Sequence, residues 1–222
     1  MNNSVTNTVR LLGAGLRALL VLTLVTGVIY PLVVTGIAQG LFSDQANGSE
    51  IKSDGKVVGS SLIGQSYNLP LKKGQETPEP DLKWFQGRPQ NGLGSNSVNT
   101  QYKLILSGAT NRSADNKDLI DWVTVAKAAV VKDNSTADYT VKASEVPADA
   151  VTSSASGLDP DISPQYADIQ VHRVAEKNGL SMAQVEKLVE DHTASRTLGF
   201  IGEPRVNVLE LNVALKQLLA KS

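Results

Sequence analysis

The chain has 222 residues, no cysteine and a formal net charge of −1 at pH 7. The absence of cysteine excludes disulfides, thiolate metal centres and iron–sulfur clusters. The near-neutral charge provides no basic field that could hold nucleic acid.

The first predicted element is an uncharged, apolar stretch at residues 18–42. About 20 helical residues cross the hydrocarbon of a bilayer, so this stretch predicts one transmembrane helix. A cleaved signal peptide is the alternative. Its apolar core would be only about 7–15 residues long and would end in a small-x-small site, for which Gly36-Ile37-Ala38 is a weak match. We therefore predict an uncleaved, single-pass anchor.

The charges around this helix predict its orientation. Arg10 and Arg17 precede the apolar stretch, and no acidic residue does. The positive-inside rule then makes residues 1–17 a short cytoplasmic N-terminus and exports residues 43–222 as one soluble, extracytoplasmic domain. The predicted location is the cell inner (plasma) membrane.

Four residues set this helix apart from a purely aliphatic anchor: Tyr30, Pro31, Gly36 and Gly40. Pro31 lacks a backbone donor and should kink the helix. Gly36-x-x-x-Gly40 offers a face for close approach of a second helix, and the Tyr30 hydroxyl would find no partner in lipid. Glycine and proline are also common in membrane helices generally. We predict a helix partner at these residues.

The first part of the soluble domain predicts little regular structure. Asp54-Gly55, between two short runs, indicates a small hairpin. The proline-, glycine- and charge-rich stretch from Lys72 to Pro80 predicts an exposed loop. Residues 84–116 are rich in Gly, Asn and Ser and predict a long irregular segment. Such a segment is uncommon in a compact domain unless it binds something or is held by its neighbours.

The second part predicts mainly helices. Residues 119–130 carry apolar side chains at helical spacing, with Ser113 or Asp115 as the cap. Tyr139 to Ala143 predicts a short strand. Ser163-Pro164 should begin another helix. Asn178-Gly179 should end that helix, and two capping boxes should begin the last two helices: Ser181 with Gln184, and Asn207 with Glu210. The fold class is therefore α+β, with one N-terminal transmembrane helix followed by a single soluble mixed α/β domain that is helix-rich at its C-terminus.

Two short motifs resemble catalytic loops but are incomplete. Gly59-x-x-x-x-Gly64-Gln65-Ser66 nearly matches a phosphate-binding loop, yet Gln65 stands where the lysine is needed. Ser53-x-x-Lys56 has the spacing of penicillin-recognising enzymes, without their Ser-Asp-Asn and Lys-Thr-Gly companions. Both patterns favour turns.

The remaining polar candidates favour structural roles. His172 and His192 have no metal-ligand spacing and fall in predicted helices. Asp159-Pro160-Asp161 offers two carboxylates for acid/base chemistry or an ion, but the pattern is more typical of a turn before a capped helix. Ser153, Ser154 and Ser156 could include a nucleophile, although no Gly-x-Ser-x-Gly elbow surrounds them. We predict no catalytic residue and no metal site.

Taken together, these motifs resemble one family, the C subunit of the bacterial Kdp potassium-transporting P-type ATPase. The resembling segments, in chain order, are Thr26–Gln39, Gln45–Ser49, Leu62–Gln65, Gly87–Pro89, Val151–Pro164, Arg173–Ala175 and Gly202–Asn212. They extend over nearly the whole chain, and the last is highly specific. One departure occurs at Ser107–Arg112, where the family usually carries a Ser-Gly-Gly-Ser-Asn run followed by Gly-Pro, so the role of that loop stays open.

The resemblance implies a non-catalytic accessory subunit. Its partners would be a channel-like potassium-translocating subunit, a P-type ATPase subunit and a small single-helix subunit. ATP enters by family implication only, through a raised ATP affinity of the ATPase subunit, and an exported domain could affect ATP binding only through its partners. The implied functional residues outside the membrane helix are Ser156, Gly157, Leu158, Asp159, Pro160, Glu203, Pro204, Arg205 and Asn207.

Two other classes of function are compatible with the residues alone. One is an anchored, exported hydrolase that uses a serine among Ser153 to Ser156, which a broad serine-reactive probe would label. The other is a membrane-anchored, exported binding or sensor module, which would be stable without any membrane partner.

Overall fold

The computed structural model describes residues 2–95 and 105–221. The chain divides into two compact units, Met1–Glu50 and Ile51–Ser222. The first unit is helical, and the second combines helices with small sheets. This arrangement confirms the predicted α+β class with an N-terminal apolar helix.

One long helical run makes up most of the first unit. It consists of α1 (Asn2–Leu24), a π-helical turn (Val25–Ile29) and α2 (Tyr30–Leu41). A short helix, α3 (Ser43–Ala46), follows. The run from Ser4 to Leu41 is long and apolar enough to cross a membrane. It begins well before residue 18, where the predicted transmembrane stretch starts.

The π-helical turn ends at Ile29, two residues before Pro31. In it, the N–H of Tyr30 donates to the carbonyl of Val25, five residues back rather than four. Proline cannot donate a backbone hydrogen bond, and its ring crowds the carbonyl four residues earlier. Widening the preceding turn relieves this crowding, and π turns are a known way for a helix to absorb such a residue.

The second unit opens with the predicted hairpin. Strands β1 (Glu50–Ser53) and β2 (Lys56–Ser60) pair with each other. Asp54 and Gly55 join them with φ angles of 52° and 75°. Two consecutive positive φ values are what a two-residue hairpin turn requires.

The predicted irregular segment is held at its start by the core. Phe85 is fully buried. Its N–H donates to Asn212 Oδ1 at 2.9 Å, and Asn212 Nδ2 donates back to the Phe85 carbonyl at 2.9 Å. Further along, β3 (Gly94–Ser95) and β4 (Ile105–Leu106) pair antiparallel. Residues 96–104 of this segment lie outside the described residues.

The next helix is α4 (Lys117–Asn134), which begins one residue later than a cap at Asp115 implies and three residues later than a cap at Ser113 implies. Its N-cap is Asn116, whose side chain accepts from the N–H of Leu119 at 3.1 Å, so the predicted caps Ser113 and Asp115 are wrong. The hydroxyl of Ser113 instead donates to the Asp115 carboxylate at 2.5 Å. These two side chains satisfy each other rather than the helix.

The strand predicted at Tyr139–Ala143 is wrong. These residues form irregular structure after α4, followed by a short 3₁₀ turn at Ala148–Ala150. The N–H of Val141 donates to the hydroxyl of Ser135 at 3.1 Å instead of to a neighbouring strand. Val141 is buried, so its apolar side chain reflects core packing and not strand pairing.

Three helices and a three-stranded sheet complete the unit. The strands are β5 (Asp161–Ile162), β6 (Thr193–Ala194) and β7 (Arg205–Asn207), and the helices are α5 (Pro164–Asn178), α6 (Met182–Asp191) and α7 (Val208–Leu219). Strand β7 lies in the middle and pairs antiparallel with both others. All three helices begin at predicted N-caps, which are Ser163, Ser181 and Asn207. Gly179, at φ 65°, ends α5 as predicted.

The two histidines have structural contacts. The His172 ring stacks on Tyr139 with centroids 3.8 Å apart and planes 3° from parallel. His192 lies at the end of α6 rather than inside it, and its Nδ1 is 2.8 Å from the carbonyl of Leu188. Neither belongs to a group that could hold a metal ion among the residues that were described.

A buried arginine connects α5 to the irregular segment. Arg173 is 1% exposed, and its Nε donates to Asn134 Oδ1 at 2.8 Å. Its Nη1 donates to the carbonyls of Leu82 and, at 2.9 Å, Trp84, while its Nη2 donates to Gln170 Oε1 at 2.7 Å. Burial lowers the pKa of this guanidinium to about 10, and nearby Tyr166, Asp133 and Asp81 oppose that effect. It therefore stays charged at neutral pH.

We predict that Arg173→Ala lowers the free energy of unfolding by about 3–5 kcal/mol, because several buried acceptors lose their donor at once. Urea unfolding of the full chain in mild detergent, followed by tryptophan fluorescence, measures this loss. Trp84 reports directly, since its carbonyl accepts from Arg173. The matched control is Lys187→Ala, which removes only an exposed ion pair to Asp191 and should leave the midpoint unchanged. Equal midpoints for the two variants would contradict the prediction.

Candidate functional site

Four segments that are far apart in sequence meet in the second unit. We call them the motif cluster: Leu62–Gln65, Gly87–Pro89, Ser156–Asp161 and Glu203–Asn207. The contacts that join them are ion pairs and backbone hydrogen bonds. The cluster therefore brings together most of the residues that the sequence predicted to be functional.

At the centre of the cluster is an ion pair between Arg88 and Asp159. Arg88 Nη1 is 2.9 Å from Asp159 Oδ2, and both side chains are partly buried. Arg88 Nε also donates to the carbonyl of Thr152 at 3.4 Å. Asp159 Oδ1 accepts from the N–H of Asp161 at 3.0 Å. The bond between the Asp161 N–H and Asp159 is the turn chemistry predicted for Asp159-Pro160-Asp161. The ion pair with Arg88 gives that turn a partner far away in sequence.

A second ion pair, between Asp161 and Arg205, lies on the sheet. Asp161 is opposite Asn207 in the β5–β7 ladder, and its Oδ2 is 3.0 Å from Arg205 Nε. Burial raises the pKa of the Asp161 carboxyl, while the charge of Arg205 opposes that rise. Because the folded state holds this proton more tightly than the unfolded state does, the carboxyl's contribution to stability falls as the pH rises through its raised pKa.

Gly64 allows the closest approach between two segments of the cluster. Its N–H donates to the carbonyl of Leu158 at 2.8 Å. A Cβ atom at this position would lie 2.4 Å from the carbonyl oxygen of Asp159. Gln65 Nε2 donates to the carbonyl of Val58 at 2.9 Å. The near match to a phosphate-binding loop is thus explained by packing.

Pro160 and Asn207 join the cluster to the start of α7. The carbonyl of Pro160 accepts from the N–H of Val208 at 3.0 Å. Asn207 Nδ2 donates to the carbonyl of Ser61 at 2.8 Å, while its Oδ1 caps the helix. One asparagine side chain therefore both begins α7 and fixes the segment before Leu62.

The serine-rich stretch is bonded internally. The hydroxyls of Ser154 and Ser156 are 3.1 Å apart, and Ser156 Oγ accepts from the N–H of Leu158 at 3.1 Å. The Ser156 carbonyl accepts from the N–H of Gly108 at 3.0 Å. Gly157 has φ 68°, which only glycine adopts readily. These contacts make the stretch a bonded turn that joins the 107–108 region to the cluster.

Shallow grooves flank the central ion pair. One, of about 530 Å³, is lined by Arg88 and Asp159 together with Asp149, Glu203 and Arg205 among others. Another, of about 670 Å³, is lined by the serine-rich stretch and Leu62. Arg88 and Asp159 line both, so the pair forms the wall between them. Both grooves are open to solvent rather than enclosed.

Glu203 is placed differently from the other predicted residues. It forms an ion pair with Arg196, with Oε2 2.5 Å from Arg196 Nη2, and it is largely exposed. It lines a groove but makes its ion pair away from Arg88 and Asp159. Pro204 lies beside it on the same groove wall.

The predicted site residues left out four groups that lie in the cluster or beside it. Asp149 accepts from the N–H of Ser163 at 2.7 Å and from its hydroxyl at 3.0 Å. The carbonyls of Thr152 and Ser61 accept from cluster side chains. Arg88 belonged to a resembling segment but not to the predicted site residues. No local pattern marks Asp149, because its partner is fourteen residues away.

The predicted transmembrane site residues all lie on or beside α2. Gly36 and Gly40 are four residues apart and share a face. Pro31 is nine residues from Gly40, which places it about 180° around the helix at about 100° per residue. Tyr30, Pro31, Gly36 and Gly40 are all exposed within the first unit. Their role as partner contacts stays a prediction.

Comparison with known proteins identifies what the chain is similar to. Residues 12–217 match the family described as KdpC: K+-transporting ATPase, c chain. A Streptomyces avermitilis protein named "Potassium-transporting ATPase KdpC subunit" is 82% identical over 222 residues, covering 100% of both chains. Proteins of the same name from Streptomyces coelicolor and Gemmatimonas aurantiaca are 74% and 45% identical over 220 and 211 residues. Those alignments cover 99% and 93% of this chain and 98% and 94% of the relatives.

We predict that Gly64→Ala lowers the free energy of unfolding by about 1–3 kcal/mol, because the added methyl forces the Leu158–Pro160 turn to move. Gly87→Ala is the matched control within the same cluster, since its Cβ would meet nothing closer than 3.9 Å. Urea unfolding of both variants measures the difference. An unchanged midpoint for Gly64→Ala would contradict the close approach between the two segments.

Proposed function

Because this chain belongs to the KdpC family, the c chains of K+-transporting ATPases, we propose that it is a non-catalytic accessory subunit that stabilises assembly of the potassium-translocating and ATP-hydrolysing subunits of such a pump. A small single-helix subunit would be a further neighbour in the membrane.

The observation that carries this proposal is the internal pairing of the motif cluster. Arg88 pairs with Asp159, Arg205 pairs with Asp161, and the hydroxyls of the serine-rich turn bond to each other and to backbone. A nucleophile or general base must present a reactive group to a substrate. The polar groups of this cluster instead bind distant segments of the chain together. This arrangement supports a structural role for the domain rather than a catalytic one.

The membrane helix supports a role in assembly. Small residues on one face let two helices approach closely, and this is how many helices associate where lipid gives no hydrophobic driving force. A Cβ atom at Gly36 or Gly40 would meet nothing within 4 Å in this chain. We propose that Tyr30, Pro31, Gly36 and Gly40 all contact the potassium-translocating subunit. The two glycines would form the face of close approach, and Pro31 lies on the opposite side of the helix from Gly40.

The side on which the soluble unit lies is part of the proposal. Arg10 and Arg17 favour a cytoplasmic N-terminus and an extracytoplasmic domain. On this orientation the domain would brace the outer face of the translocating subunit. A raised ATP affinity of the ATPase subunit would then be a coupling transmitted between subunits, since ATP binds on the other side of the membrane.

We predict that Gly36→Leu releases the chain from the purified complex, because the larger side chain separates the two helices. Ala38→Leu is the matched control, since Ala38 is about 160° around the helix from both glycines. Co-purification with the two large subunits in mild detergent is the measurement. Retention of Gly36→Leu at the level of Ala38→Leu would rule out this docking face.

We also predict that a single cysteine introduced as Ser113→Cys is labelled in intact cells by a membrane-impermeant thiol reagent. The chain has no cysteine of its own, so labelling reports only this exposed position. A cysteine in the N-terminal segment, such as Thr8→Cys, is the matched control and should label only after lysis. The reverse pattern would place the soluble unit in the cytoplasm and would favour direct contact with the nucleotide site.

A further inference from the structure

A turn between β6 and β7 exposes three large apolar side chains. Leu198 is 79% exposed, Phe200 is 72% exposed and Ile201 is 51% exposed. No charged residue occurs from Thr197 to Gly202. We call Thr197–Ile201 the apolar turn. The motif cluster does not use these side chains, and packing within the domain leaves them in contact with solvent.

The backbone of the apolar turn is bonded to itself. The N–H of Thr197 donates to the carbonyl of Ile201 at 2.9 Å, and the N–H of Ile201 donates back at 3.0 Å. The N–H groups of Gly199 and Phe200 donate to the carbonyls of Arg196 and Thr197 at 3.1 and 3.3 Å. A backbone group that leaves water unpaired costs free energy. In this turn the N–H groups of Thr197, Gly199, Phe200 and Ile201 are already hydrogen-bonded, so moving them out of water leaves none of these four unpaired.

Leu198 is both exposed and in an unfavourable backbone conformation. Its φ is 54°, a left-handed conformation that residues other than glycine, asparagine and aspartate adopt rarely. Asparagine or glycine would fit this position with less strain and no exposed apolar surface. The chain instead places a leucine there, next to Gly199 at φ 83°. Transfer of the leucine side chain into an apolar environment outside the domain would offset the cost of its strained backbone and of its exposed apolar surface.

The second unit is joined by a short connection to a helix that is long and apolar enough to cross a membrane. The membrane-spanning helix ends at Leu41 and β1 begins at Glu50. The residues between them can extend over at most about 30 Å. A tether of this length makes contact with the bilayer an intramolecular event, so even a weak lipid-binding element is occupied.

The base of the apolar turn suits a phospholipid surface. Arg196 Nη2 is paired with Glu203 Oε2 at 2.5 Å and Arg205 Nε with Asp161 Oδ2 at 3.0 Å, so the base of the turn carries two arginines, each within an ion pair, and no net charge. Apolar side chains flanked by arginine are typical of elements that enter the boundary between headgroups and acyl chains. The only polar side chain within the turn is that of Thr197, which leaves little to specify a protein partner.

We propose that the apolar turn is a membrane-contact element. Leu198, Phe200 and Ile201 enter the headgroup–acyl boundary of the bilayer that holds the chain's own helix, to a depth of about 5–10 Å. Arg196 and Arg205 remain at the phosphate level. This inference goes beyond the proposed assembly role and requires only that the helix is embedded, on whichever side the domain lies.

The experiment uses the full chain, which has no native cysteine, in vesicles of phosphatidylcholine and phosphatidylglycerol. A polarity-sensitive fluorophore is attached at Leu198→Cys or Phe200→Cys. The control is Val125→Cys, because Val125 is an equally bare apolar residue on α4, at 70% exposed. We expect blue-shifted emission at both turn positions, with quenching by shallow lipid spin labels that exceeds quenching by deep ones. The control should emit as in water.

A second change tests the cause. Adding Phe200→Asp to the Leu198→Cys chain should return its emission to the value in water, whereas adding Val125→Asp should not. Emission and quenching at the turn equal to those at Val125 would overturn the proposal. A shift that occurs only after the other pump subunits are reconstituted would also overturn it, because the turn would then dock on protein.

Discussion

The second unit depends on one buried cation. Arg173 lies in the core without a carboxylate within ion-pair distance among residues 2–95 and 105–221, and its charge is satisfied by two backbone carbonyls and two side-chain amides. Charge-assisted hydrogen bonds of this kind are stronger than neutral ones, and an uncompensated buried charge would be costly. The carbonyls belong to Leu82 and Trp84, so the guanidinium holds an irregular segment in place where no helix or strand does so.

The same segment connects the helical core to the motif cluster. Gln86 and Gln170 exchange hydrogen bonds, with the N–H of Gln86 donating at 2.7 Å and Gln170 Nε2 donating back to the Gln86 carbonyl at 3.0 Å. Arg88 follows two residues later and reaches Asp159. The helical core is thereby connected to the surface through a few residues of extended chain. The position of Arg88 relative to the helical core is therefore determined by the backbone and by the hydrogen bonds of Gln86.

The sequence predicted the features that local chemistry determines. The caps at Ser163 and Ser181 and the stop at Gly179 each depend on neighbours within a few residues, and they were correct. Asn116 was missed because Ser113 and Asp115 offered the same chemistry nearby. The strand at 139–143 was wrong because apolar alternation does not show whether a partner strand exists. The site divides in the same way: the resemblance identified its segments, but the pairings of Gly64 with Leu158 and Arg88 with Asp159 join residues far apart in sequence.

The π turn has a consequence for how the membrane helix meets its surroundings. Such a turn contains one residue more than an α-helical turn, so side-chain positions after it are rotated by about 100° relative to those before it. A stripe that runs straight along α1 therefore does not continue along α2, and the Gly36–Gly40 face points in its own direction. One helix can in this way present two contact faces that point in different directions.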